Sequence, residues 1–126
     1  MSDLISRTTR GLFRDLMTGS TVEEIDAAFQ DELFAPSTTS AYQDSSVRRI
    51  RTQEYLEAVD WSDVDHVSRA LRVFERLAHG FEPQYSSKFF QSLKRDGYLL
   101  DEESGHILPI GPRFSLDSFV DGQEIS

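Results

Sequence analysis

At 126 residues and a net charge of -9, with 22 acidic residues against 13 basic ones, the chain is sized for one domain. Its sign opposes the cation–phosphate contacts that supply nonspecific nucleic-acid affinity. Hydrophobic residues at 38% and aromatics at 11% predict a folded core, and the absence of cysteine excludes disulfides and thiolate metal sites. No apolar run approaches the roughly 18 residues that span a bilayer, and the first residues, MSDLISRTTR, lack an apolar signal core, so a cytoplasmic protein is expected.

Leu4 to Met17 reads as a first helix with Ile5, Leu12, Phe13 and Leu16 on one stripe, ended by Gly19 and Ser20. Thr21 with Glu24 forms a capping box for a second helix marked by Val22, Ile25, Ala28, Phe29 and Leu33. Pro36 and the polar run Ser37–Ser40 predict a mobile loop reaching about Ser45. Val47 to Val59 reads as a third helix with Val47, Ile50 and Leu56 facing inward. Trp61 is expected to pack between the third and fourth helices.

Ser62 is the predicted N-cap of a fourth helix, in which Val64, Val67, Leu71, Phe74 and Ala78 recur at spacings of three and four. Val73 and Leu77 widen that stripe, making this helix central, and Gly80 suits its C-terminal exit. Pro83 separates it from a fifth helix, Ser86 to Arg95, stopped by Gly97. Tyr98, Leu99 and Leu100 then pair with His106, Ile107 and Leu108 across a turn over Asp101 to Gly105. The predicted fold is mainly α: about five helices with a C-terminal β-hairpin, an outline shared with winged-helix proteins. Residues 1–109 form this domain, and 110–126 read as a tail or linker.

Arg48, Arg49 and Arg51 are the one dense basic cluster. Arginine binds phosphate or carboxylate bidentately, so the cluster suits an anionic partner; the competing reading is pairing with the chain's own Asp44, Glu54 or Glu57. Arg72 and His79, with six residues between them, lie on one face of the fourth helix as an i, i+7 pair, a spacing that matches the R-x4-6-H pattern of HEPN-type ribonucleases, where the histidine acts as a general base. His79 also sits where a basic residue simply complements the negative end of a helix dipole. Lys88, Lys94 and Arg95 give the fifth helix positive charge, opposed by Asp96, Asp101, Glu102 and Glu103 beside it. Those turn acids read as solvated rather than as a catalytic pair. His66, His79 and His106 are scattered without metal-ligand spacing, so neither a metal nor a cofactor is predicted.

Three stretches, RRIRTQEYLEAVDWSDVDHVSRALRVFE, SLKRDGYLLDEESGHI and FSLDSFVDGQEIS, together resemble the N-terminal region of bacterial abortive-infection (Abi, AbiJ-like) proteins. The likeness covers residues 45–126, and its helix-and-hairpin pattern falls on Leu93, Asp96, Gly97, Tyr98, Asp101, Gly105 and Ile107. It implies a sensing, regulatory or interaction module whose effector domain, often HEPN-like, would lie beyond residue 126, either in a longer protein or absent from a stand-alone version. No catalytic residue carries over.

The expected function is therefore a non-enzymatic regulatory or protein-interaction domain of an antiphage protein. Its partner would be another protein or an attached effector, with a homo-oligomer as a further expectation and no membrane. A nucleic-acid-binding winged-helix-like module ranks second. A ribonuclease using Arg72 and His79 ranks third.

Overall fold

The computed structural model describes residues 3–110. It has five α-helices and a C-terminal antiparallel hairpin: α1 (Arg7–Leu16), α2 (Val22–Asp31), α3 (Val47–Ala58), α4 (Val64–Ala78), α5 (Pro83–Asp96), β1 (Tyr98–Leu100) and β2 (Ile107–Pro109). A single 3-10 turn, Met17–Gly19, follows α1. The residues expected to form the tail lie outside the described residues, except Ile110, whose amide donates to the Gly97 carbonyl at 2.7 Å and extends the hairpin by one residue.

Local signals set most boundaries. Thr21 accepts from the Glu24 amide while Glu24 accepts from the Thr21 amide, the expected capping box. Gly97 ends α5 in the left-handed region at φ 101°, where a side chain would be strained.

Other boundaries move. α1 starts at Arg7 rather than Leu4, because Ser6 caps it and the Leu4 amide donates to the Trp61 carbonyl. Asp63, not Ser62, caps α4, its carboxylate accepting from the Asp65 amide. Pro83 opens α5 instead of preceding it, since its fixed φ and missing N–H suit a first helical position.

The expected inward faces also need correction. Leu33 lies beyond α2 with φ 68° and is 82% exposed. Val47 and Val64 occupy first helical positions and point to solvent. Thr52, Tyr55 and Leu56 form the buried face of α3. Gly80 is not in the left-handed region, which among the described glycines only Gly97 and Gly105 adopt.

α4 carries the core, as its stripe predicts: Val67, Ala70, Leu71, Val73, Phe74 and Ala78 are buried. Phe74 meets Phe13 of α1 at 4.3 Å and Phe89 of α5 edge-on at 5.5 Å. Trp61 stacks on Phe74 and donates its indole N–H to the Leu56 carbonyl, filling the junction of α3 and α4. The same core continues between α2 and α3, with Phe29 stacked on Tyr55 at 4.4 Å. The Tyr55 hydroxyl donates to Asp26, and burial followed by this bond pushes the phenol above its ordinary pKa.

A polar network locks α1 to α5. The buried Thr9 hydroxyl lies 2.5 Å from Ser92 Oγ and donates to Asp96 at 2.6 Å, and Asp96 also accepts the Ser6 amide. These bonds fix the end of α5, and therefore the root of the hairpin. The loop over residues 36–45 is tied along α3: the Ser37 amide donates to the Glu54 carbonyl, Ser40 donates to Glu57, and Asp44, which accepts from Tyr42 within the loop, also accepts from Arg49.

Candidate functional site

The hairpin register pairs Tyr98 with Pro109, Leu99 with Leu108 and Leu100 with Ile107. Backbone bonds join Asp101 to His106 and Gly97 to Ile110. By the alternation of an antiparallel ladder, 99/108 is the bonded pair between them. Leu100, Ile107, Tyr98 and Pro109 therefore turn their backbone groups to the two outer edges.

The outer edge of β2 is covered. Glu75 of α4 accepts the Ile107 amide at 2.7 Å, and Arg72, one turn earlier, donates to the Ile107 carbonyl at 2.7 Å. Arg72 also meets Glu75 at 3.2 Å, and the second Glu75 oxygen lies 2.7 Å from His106 Nδ1. The two side chains thus occupy the place a third strand would take, and Pro109 adds no donor to that edge. The Glu75 side chain is only 11% exposed, so its carboxylate is sequestered for this purpose.

Among the described residues the outer edge of β1 is open. No described residue bonds to the Tyr98 or Leu100 backbone on that side. Beside it Leu99 is 50% exposed and its cross-strand neighbour Leu108 38%, with Ile110 also exposed. A groove of about 530 Å³ runs between the hairpin and the α4–α5 junction, lined by His79, Phe81, Pro83, Phe90, Leu99 and Leu100, among others. Its hairpin rim is acidic. Asp101 accepts from the Ser104 hydroxyl and the Glu103 amide, which holds its carboxyl below the usual range, and Glu102 lines the groove.

The predicted site residues fall on separate surfaces. Arg72 is committed to the hairpin, whereas His79 is exposed at the end of α4 with no hydrogen bond among the described residues, so the two do not converge on one acceptor. Arg49 binds Asp44 through two nitrogens at 2.8 and 3.0 Å, Arg51 lies 3.7 Å from Asp26, and Arg48 donates to the Thr18 carbonyl. These arginines brace the chain around α3 rather than sharing one target. Lys88, Lys94 and Arg95 are exposed on α5 without an ion pair among the described residues.

Sequence reasoning passes over a second basic surface, although its signal is the i, i+3, i+7 spacing of Arg7, Arg10 and Arg14 on α1. These three, with Gly11, Gln53, Glu57 and Trp61, line a groove of about 630 Å³ between α1 and α3. Arg10 lies over the Trp61 ring at 5.0 Å and pairs with Asp3; Arg14 lies over Tyr42 at 4.5 Å and donates to Gln53. Burial lowers the Arg10 pKa, Asp3 opposes that shift, and the Arg7 charge adds to it.

Among the described residues no cluster of His, Asp or Glu could hold a metal ion, and no helix is long and apolar enough to cross a membrane. No protein-family model, curated protein or solved structure matches the chain.

Proposed function

We propose that this chain is a non-catalytic protein-interaction module that receives a partner strand along the open edge of β1. The observation that carries this reading is the asymmetry of the hairpin: one edge is capped by Glu75, Arg72 and Pro109, while among the described residues nothing bonds the other, which lies beside exposed Leu99. Folded proteins blunt strand edges unless they use them, and strand addition joins main-chain affinity to side-chain specificity.

The partner is a segment of another protein with apolar residues alternating with basic ones. Its apolar side chains would meet Leu99 and the Phe90 wall; its basic ones would meet Asp101 and Glu102. In the abortive-infection context that the sequence resembles, such docking would restrain an attached effector until infection displaces the bound segment.

Panning a peptide-display library against the domain tests this. Enriched peptides should carry the apolar–basic alternation, and Leu99→Asp should weaken them by about tenfold or more, or roughly 1.4 kcal/mol, with helicity unchanged by circular dichroism. Failure to enrich any peptide, or binding indifferent to Leu99→Asp, defeats the proposal.

A second reading rests on Lys88, Lys94 and Arg95, exposed and unpaired among the described residues of α5, which suit a phosphate backbone. It predicts a salt-dependent shift of labelled DNA or RNA that Lys88→Gln weakens; no shift at low salt removes it.

A further inference from the structure

The α1 surface carries three unfavourable choices that folding does not require. Arg7 occupies the first helical position, where the helix dipole opposes a cation. Arg7, Arg10 and Arg14 place like charges together on one face of a chain whose net charge is -9. Gly11 sits inside the helix, where glycine costs about 1 kcal/mol relative to alanine.

Packing does not demand that glycine. Its backbone is helical, and a Cβ there would meet only Arg14 Nη2, at 3.7 Å. What the missing side chain does is leave the floor of the α1–α3 groove open between Arg7 and Arg14. The arginines around it are held in place: Arg10 by the Trp61 face and Asp3, Arg14 by the Tyr42 face and Gln53. Arg14 Nε is buried without a partner. Arg7 meets no carboxylate among the described residues. Glu57 is the one carboxylate among the groove's lining residues, and it is engaged by Ser40 and Gln53.

We propose that this groove binds a small phosphorylated ligand, its phosphoryl oxygens taken by Arg7 and Arg14 over the bare backbone of Gly11. Guanidinium groups match phosphate bidentately, and Arg14, already fixed by the Tyr42 face and Gln53, loses little freedom on binding. The volume, about 630 Å³, suits a ligand of nucleotide size. The acidic remainder of the surface disfavours a long polyanion.

Titration of the full chain with inorganic pyrophosphate, followed by amide chemical shifts at constant ionic strength, tests the proposal. The expected result is saturable change centred on Arg7, Gly11 and Arg14 with a Kd of roughly 1 mM or tighter. Arg7→Gln, at an exposed position that does not threaten the fold, should weaken binding by about tenfold. Gly11→Ala should raise the melting temperature while weakening binding, a combination that a purely structural role for this face would not give. No saturable change, or binding unaffected by both variants, overturns the proposal. A short single-stranded oligonucleotide that binds more tightly than pyrophosphate would overturn the assignment to a small ligand.

Discussion

Glu75 of α4 accepts the backbone N–H of Ile107 in β2 at 2.7 Å, so a carboxylate on a helix completes the edge of a two-stranded sheet. A hairpin of three-residue strands is marginal by itself. This bond, with Arg72 on the Ile107 carbonyl, fastens it to the core helix.

Glu75→Ala should therefore leave the Ile107 amide without its acceptor and remove the carboxylate beside Arg72 and His106, while Arg72 keeps the Ile107 carbonyl. Loss of a hydrogen bond to a charged group, with its partners left behind, costs about 1–3 kcal/mol. Calorimetry should show a lower melting temperature, and hydrogen exchange should quicken in β1 and β2 before it quickens in α4. Unchanged hairpin protection would show that the clamp is not what holds it.

Thr9→Val tests the lock between α1 and α5. Valine keeps the volume but removes the hydroxyl that bonds Ser92 and Asp96. A destabilisation of about 1–3 kcal/mol is expected, read as a lower urea midpoint with the slope unchanged. A neutral result would mean that Ser6 and Ser92 re-satisfy Asp96 without it.

Two glycines should respond differently to alanine. Gly97 requires φ 101° yet has open space around a Cβ, so Gly97→Ala costs about 1–2 kcal/mol of backbone strain alone. At Gly19 a Cβ would lie 2.6 Å from Phe81 Cε1, so Gly19→Ala must displace that ring, and a crystal structure should show Phe81 moved.

Acid should destabilise the fold through Asp44 and Asp101. Arg49, Tyr42 and the Ser46 amide hold the Asp44 carboxyl far below the usual carboxylate range, and Ser104 and Glu103 lower Asp101. Both folded values lie below the unfolded one, near pH 3.9. The stability each contributes is thus present above that pH and lost as pH falls through the folded value. Asp44→Asn should flatten the acid limb of a stability–pH curve measured between about pH 5 and 2 and leave its neutral-pH slope unchanged.

The helices were legible where the signal is local. The Thr21–Glu24 box, the stripe from Val67 to Ala78 and the Gly97 stop each involve residues within a few turns of one another. The hairpin was equally readable, its pairing shifted by a single residue. What the sequence hid depends on distant partners. Thr9, Ser92 and Glu75 look like surface residues until folding brings Thr9 against Ser92 and Asp96, and Ile107 against Glu75. Leu33 looks like core until the chain turns at positive φ after α2. The spacing of Arg7, Arg10 and Arg14 was readable, but the groove they line needs Gln53 and Trp61 from the other wall. The Arg48–Arg51 cluster was equally visible, as were Asp44 and Glu54 as its partners; only Asp26, from α2, needed the fold.

Amide hydrogen exchange of the domain with and without a display-selected peptide tests the β1-edge reading most directly. Strand addition predicts new protection at the Tyr98 and Leu100 amides, with Ile107, already bonded to Glu75, changing little. Protection confined to α5 around Lys88 and Arg95, or absent from Tyr98 and Leu100, would contradict it.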